Sequence, residues 1–223
     1  MGRDHSRIKI AHKRAFTLIE LLTVLTIITV FMGVMFPLGE QFIAKSHRVA
    51  DIQHLRQVAL AYFDYLTTNS ENQSQINAIK NAHDFAVLLA KNNYINNPEC
   101  YLSKAEKNTK SIPSDIVVHR EDDTWEISPK FPISWVIITG VPINKTQLPI
   151  AYSRGLDLET GTWIHESPYG IQGGLVAFFD GRVQFVPHVK GKWKDYKTGK
   201  STNNLRKALP DNAHAYDANG RVW

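Results

Sequence analysis

A long apolar run near the amino terminus constrains the fold of this chain more than any other feature. Residues 16–37 make a stretch of 22 residues in which Glu20 is the only charged side chain. As an α-helix this stretch would extend about 33 Å, which is enough to cross the hydrocarbon core of a membrane. We therefore predict a transmembrane helix over residues 16–37.

The charges that flank this run predict its orientation. Residues 1–15 contain five basic residues and one acidic residue, a net charge of +4 out of +5 for the whole chain. Loops and tails rich in lysine and arginine tend to stay in the cytoplasm. We expect a cytoplasmic amino terminus and an exported carboxy-terminal domain. Residues 16–223 carry a net charge of only +1, so nucleic acid is not an expected partner.

Two simpler interpretations of the apolar run compete with this one. A secretory signal peptide usually has an apolar core of about 7–15 residues that ends in a small-x-small cleavage site. The run here is longer, and the region of Gly33, Met35 and Phe36 offers no such pair. A plain uncleaved membrane anchor is the second alternative.

The segment 13–20 carries a more specific signal. It reads Lys-Arg-Ala-Phe-Thr-Leu-Ile-Glu and resembles the processing site of type IV pilins and type II secretion pseudopilins. In that family a prepilin peptidase cuts on the cytoplasmic side, just before the phenylalanine, and methylates the new amino terminus. The resemblance implies cleavage between Ala15 and Phe16, removal of a leader over residues 1–15, and N-methylation of Phe16. Ala15 stands where the family usually has glycine.

The same resemblance assigns a role to Glu20. Cleavage would create a cationic amine on Phe16 about one helical turn from this carboxylate. Such charges attract more strongly beside a low-dielectric medium than in water, and in the family the pairing is thought to join neighbouring subunits. Glu20 is thus expected to act in assembly. Pro37 lies where many pilins have a helix-bending proline.

The implied function is that of a structural subunit and not of an enzyme. We expect a pilin-like protein of the bacterial inner membrane that assembles into a type II secretion pseudopilus or a type IV pilus-like filament. Its partners would be the prepilin peptidase, other pilin or pseudopilin subunits, an inner-membrane assembly platform and the lipid bilayer. The missing cysteine pair favours the secretion class. The alternative is a single-pass, membrane-anchored periplasmic domain that binds a ligand or catalyses a reaction.

Beyond Pro37 the apolar residues recur at helical spacing, which predicts an amphipathic continuation of the helix over residues 38–68. A second helix is predicted over residues 76–92, followed by an irregular connection over residues 93–114. The stripe of the first helix consists of Leu38, Phe42, Val49, Ile52, Leu55, Ala59, Tyr62 and Leu66. Polar residues, Asp51 among them, are expected on the other faces.

The rest of the chain changes to strand-like patterns. The predicted strands are 116–120, 124–128, 135–139, 150–152, 162–164, 175–179 and 182–186. Asp180-Gly181 separates the last two and is typical of a tight hairpin turn. Helices followed by antiparallel strands indicate an α+β fold, with a long amino-terminal helix packed on a small antiparallel sheet. The globular head is expected over residues 69–223.

Residues 173–183 carry a second resemblance, to the carboxy-terminal hairpin of prepilin-like proteins in which a histidine precedes the Asp-Gly turn. Gly170 occupies that histidine position here. The hairpin is therefore expected, without any role that belongs to the histidine.

Metal sites are sparse in this sequence. Asp211, Asp217 and Asn219 offer hard oxygen ligands near a glycine turn and form a partial calcium-loop pattern; major pseudopilins carry calcium in their carboxy-terminal loops. A plain turn is the alternative. His47 and His54 lie two helical turns apart, roughly 10 Å, too far to chelate one metal ion, and we expect both to be solvated.

Two further features leave alternatives open. Cys100 is the only cysteine, so it is either buried, as we expect, or paired between chains. Residues 190–207 carry seven basic side chains against Asp195. They could contact anionic lipid, DNA or an acidic neighbour, or form a flexible exposed loop.

Overall fold

The computed structural model describes residues 17–68, 71–106, 118–119, 125–126, 132–188 and 193–223. The chain divides into two compact units, Met1–Ala44 and Lys45–Trp223. The first helix, α1, covers Leu18–Thr68 and contributes to both units. The combination of helices with antiparallel sheet confirms the predicted α+β class.

In the second unit two shorter helices follow α1. They are α2, Asn72–Asn77, and α3, Ala82–Lys91. A single helix was predicted over residues 76–92, and this is wrong because Asn81 starts a new one. Its side chain accepts a hydrogen bond from the Asp84 N–H, the usual N-cap contact. Asp84 in turn accepts from the Lys80 N–H. Short 3₁₀ turns occur at Pro98–Tyr101, Gly170–Gln172 and Arg206–Ala208.

The described residues form twelve strands, most of them short. Their bounds are β1 Val118–His119, β2 Trp125–Glu126, β3 Trp135–Thr139, β4 Pro149–Ser153, β5 Leu156–Asp157, β6 Thr162–Trp163, β7 Gly174–Phe178, β8 Val183–Val186, β9 Trp193–Lys194, β10 Ser201–Thr202, β11 His214–Asp217 and β12 Gly220–Arg221. All seven predicted strands have a counterpart, and β5, β9, β10, β11 and β12 were missed.

Six strands build one antiparallel sheet in the order β12-β11-β3-β4-β7-β8. Its centre is fully buried, as the continuous burial of β3, β4 and β7 shows. The predicted hairpin is confirmed, with Leu175 opposite Phe185 and Gly181 at a positive φ of 74° in the turn. The remaining strands form two-stranded hairpins, β1–β2, β5–β6 and β9–β10.

The segment Lys45–Thr68 of α1 packs against this sheet through one apolar stripe. Leu55, Val58, Ala59, Tyr62, Tyr65 and Leu66 are all buried there. The Tyr62 hydroxyl donates to the Ile138 carbonyl oxygen at 3.1 Å, and its ring contacts Phe179 and Phe85. The Arg56 Nε donates to the carbonyl oxygen of Gly181 in the hairpin turn at 3.0 Å. Phe42 and Val49, which were predicted to belong to the stripe, are exposed instead.

Candidate functional site

The amino-terminal end of α1 is capped by reciprocal hydrogen bonds between two residues, Thr17 and Glu20. Glu20 Oε2 accepts from the Thr17 N–H at 2.8 Å and from the Thr17 hydroxyl at 2.9 Å. The Thr17 hydroxyl oxygen accepts from the Glu20 N–H at 3.2 Å. A threonine at the N-cap followed three residues later by glutamate is a capping box, which satisfies backbone N–H groups that the first turn leaves free.

The capping box leaves part of the Glu20 carboxylate available. Both bonds from Thr17 end on Oε2, and Oε1 accepts no hydrogen bond from any other described residue. Glu20 is also exposed within a single chain. The carboxylate is therefore held in a fixed place with one oxygen open, which suits an incoming cation such as an amine.

The next four turns of α1 expose their apolar side chains. Between Leu18 and Met35 the twelve large apolar residues whose side chains are described are 45% to 84% exposed, with Leu18 the most exposed. These residues are Leu18, Ile19, Leu21, Leu22, Val24, Leu25, Ile27, Ile28, Val30, Phe31, Met32 and Met35. Within the part of the chain that the structure describes, no helix meets the length and hydropathy needed to span a membrane.

Three threonines on this part of the helix bond to their own backbone. The hydroxyls of Thr23, Thr26 and Thr29 donate to the carbonyl oxygens four residues earlier, at 2.7 to 2.8 Å. Each hydroxyl is therefore satisfied without a second helix. The threonines add no exposed, unsatisfied polar group to the apolar surface.

The structure does not test the other roles predicted for the amino-terminal residues. Ala15 and Phe16 lie outside the described residues, so their cleavage and methylation stay predictions. Pro37 lies inside α1, and the bend expected there stays a prediction as well. Thr17 was missed as a functional residue, although the Thr-x-x-Glu spacing in the sequence is a recognisable capping signal.

The predicted calcium ligands are engaged in other contacts. Asp217 Oδ1 accepts from the N–H groups of Asn219 and Gly220 at 2.8 and 3.0 Å, which closes a tight turn. Asp211 forms an exposed ion pair with Lys197 at 2.8 Å. Among the described residues no group of three or more His, Cys, Asp and Glu side chains is placed to hold a metal ion. Calcium binding stays a prediction.

A buried carboxylate joins α1 to the loops of the head. Asp51 is fully buried and accepts hydrogen bonds from the Ser103 hydroxyl, the Lys104 N–H and the Tyr169 hydroxyl. Burial and the neighbouring Asp51 raise the pKa of Tyr169. Asp51 was expected on the polar face, although it lies one helical turn before the buried Leu55 and so shares its face.

The structure also shows the surroundings of the single cysteine and of the two histidines on α1. Cys100 is buried, as expected, and its thiol donates to Gln57 Oε1 at 3.0 Å. Burial raises the pKa of this thiol. His47 and His54, which were expected to be solvated, are partly exposed, and His54 Nδ1 is buried without a hydrogen-bond partner among the described residues.

Comparison with known families bears on the amino-terminal site. The family model described as the prokaryotic N-terminal methylation motif matches residues 10–36. The match includes Ala15, Phe16, Thr17 and Glu20, and it indicates a pilin-like protein processed by prepilin peptidase. No curated protein and no solved structure matches the chain.

Proposed function

We propose that this chain is a pseudopilin, a structural subunit cut between Ala15 and Phe16, methylated on Phe16 and polymerised through its amino-terminal helix. The filament would be a type II secretion pseudopilus or a type IV pilus-like fibre that serves protein export. Before assembly the subunit sits in the inner membrane with its amino terminus in the cytoplasm and its head in the periplasm. It acts by binding other subunits and not by catalysis.

The observation that carries this proposal is the exposed apolar surface of α1 beside the capped Glu20. A helix whose large apolar side chains are at least 45% exposed from Leu18 to Met35 is not stabilised by its own chain, because burial of apolar area is the main favourable term in folding and association. Lipid before assembly and neighbouring helices afterwards would both cover it. The motif match over residues 10–36 supports the same order of events.

The open carboxylate oxygen of Glu20 fits the second half of the proposal. The Phe16 amine of a neighbouring subunit would approach Oε1 while Oε2 keeps its bonds to Thr17. A charge pair at this position sets how far one subunit can slide along the next. The apolar contacts then supply affinity, and the pair supplies register.

Mass spectrometry and a matched pair of variants test the proposal. The membrane-extracted protein should begin with N-methylated Phe16. Glu20→Ala should leave cleavage intact and reduce filament yield at least tenfold, because the open carboxylate is lost. Glu40→Ala, which removes the next acidic residue along the chain, should assemble as the wild type does. A mature chain that still begins at Met1 in cells with the peptidase would contradict the proposal, as would full assembly of Glu20→Ala.

A membrane-anchored domain with a binding or enzymatic role is the competing function. It predicts that Glu20→Ala has no effect on the process that the protein serves, since the helix would act only as an anchor. The same variant therefore separates the two.

A further inference from the structure

A groove with excess positive charge lies on the head, far along the chain from α1. One part is a cavity of about 480 Å³ lined by Lys145, Lys194 and Tyr196, among others. A neighbouring cavity of about 690 Å³ shares five of its lining residues, so the two form one groove. The shared residues are Thr146, Gln147, Leu148, Lys194 and Ala208.

Hydrogen-bonded turns form two walls of this groove. The turn that precedes β4 is held by backbone bonds from Lys145 N–H to the Pro142 oxygen and from Leu148 N–H to the Lys145 oxygen. On the other wall, Asp195 Oδ1 accepts from the N–H groups of Lys197 and Thr198. Within the basic segment 190–207, the described residues include the short antiparallel pair β9 and β10.

The charges of the groove are unevenly paired. Asp180 contacts Arg182 at 3.7 Å, whereas Asp195 forms no ion pair with another described residue and its Oδ1 accepts from its own turn. With Lys145, Lys194 and Arg182 against these two carboxylates, the lining carries a net charge of +1. Neither Lys145 nor Lys194 forms an ion pair with another described residue. Two lysines beside amide and hydroxyl donors on residues 144, 146 and 147 favour a ligand that carries carboxylates.

The aromatic residues of the groove argue against nucleic acid. Binding of single strands relies on open ring faces on which bases stack. The Phe178 ring is covered by the Arg182 guanidinium at 4.2 Å and also contacts Trp193. Tyr196 alone among these rings is clearly exposed. One open ring is a poor stacking platform, so a polypeptide with acidic side chains fits better.

The densest acidic run of the sequence is on the same chain. Glu121, Asp122 and Asp123 are its only three consecutive acidic residues. In sequence they connect β1 to β2, which pair as an antiparallel hairpin with Val118 opposite Glu126. The run itself lies outside the described residues.

We propose that the groove binds the acidic run 121–123 of a second copy of this chain. A patch on one subunit that meets a different patch on the next is a heterologous contact, and repetition of such contacts produces rings or open helical filaments. The inference rests on the proposed function, since it adds a contact between heads to a polymer that the amino-terminal helices begin.

Charge reversal on each side of the contact tests this directly. One variant combines Lys145→Glu with Lys194→Glu, and the other changes Glu121, Asp122 and Asp123 to lysine. Sedimentation velocity of each full-length protein in neutral detergent should show self-association at least tenfold weaker than for the wild type. The matched control Lys80→Glu with Lys91→Glu makes the same change of charge at exposed positions elsewhere and should associate normally.

A mixture of the two variants distinguishes contacts between copies from contacts within one chain. When mixed, the intact acidic run of the first variant meets the intact groove of the second, so association between the two variants should return. Added deca-glutamate should compete with it. No recovery on mixing would overturn the proposal, as would equal loss in the lysine control. Stronger competition by deca-thymidylate than by deca-glutamate would indicate a nucleic-acid surface instead.

The test also separates this inference from the function on which it rests. If Glu20→Ala blocks filaments while both charge reversals are silent, only the groove inference fails. If Glu20→Ala assembles normally, the proposed function fails whatever the groove does.

Discussion

The first part of α1, from Leu18 to Ala44, and the second part, from Lys45 to Thr68, are both helical but differ in what surrounds their side chains. From Leu18 to Met35 the large apolar side chains are exposed within the chain, whereas from Leu55 to Leu66 the stripe facing the head is almost completely buried. The second part obtains its stability from contacts within its own chain. The first part lacks such contacts, which is the state expected of a segment that another molecule must cover.

Their polar groups differ in the same way. In the first part Thr17, Glu20 and the three threonines bond only to nearby residues of the helix. In the second part Asp51, Arg56 and Tyr62 bond to residues more than 50 positions away in sequence. The polar side chains of the first part are therefore satisfied within the helix itself, whereas those of the second part depend on the rest of the head.

A leucine-to-alanine change should have the largest difference in effect on stability between the two parts. Leu55→Ala removes a fully buried side chain and should lower the free energy of unfolding of the head by about 2–5 kcal/mol. Leu25→Ala, on the exposed part, should leave that value unchanged and weaken assembly. All five tryptophans lie beyond residue 120, so urea unfolding followed by tryptophan fluorescence reports on the head. Equal destabilisation by the two variants would refute the contrast.

The buried carboxylate gives the next largest effect. Asp51→Ala leaves the Ser103 hydroxyl, the Lys104 N–H and the Tyr169 hydroxyl without their acceptor, which should cost about 3 kcal/mol. Asp64→Ala, at an exposed position of the same helix, should change stability by no more than about 0.5 kcal/mol. The same fluorescence assay measures both. A loss below about 1 kcal/mol for Asp51→Ala would mean that water replaces the carboxylate at little cost.

The Tyr169 hydroxyl, which donates to Asp51, should make the stability of the head depend on alkaline pH. Burial and Asp51 raise the pKa of its hydroxyl above that of an unfolded tyrosine, so its contribution is fully present below about pH 10 and is lost as pH rises further. Tyr169→Phe should therefore lose about 1 kcal/mol at neutral pH and show a shallower fall in stability above pH 10. Parallel pH profiles for the two proteins would exclude Tyr169 as a source of the dependence.

Features that depend on local sequence could be predicted, and features that depend on distant contacts could not. The apolar run and the buried stripe from Leu55 onward are local patterns, and they predict the helix well. The strands β5, β9, β10 and β12 were missed because each is only two residues long, too short for an alternating pattern to be recognised. β11 was missed because it depends on pairing with a strand far away in sequence, as Ala215 does with Ile138. Asp51 was misplaced because its donors come from two loops that no local pattern identifies.

The smallest expected effect concerns the capping box of the exposed part. Thr17→Val keeps the shape of the side chain but removes the hydroxyl that both donates to Glu20 Oε2 and accepts from the Glu20 N–H. Hydrogen exchange of the amides at residues 18–20 should become about fivefold faster, the scale of a lost N-cap. Thr17→Ser retains the hydroxyl and should exchange as the wild type does. If Thr17→Val weakens assembly as well, the position of the Glu20 carboxylate depends on its cap; if exchange rises while assembly is unchanged, the open oxygen finds its partner without it.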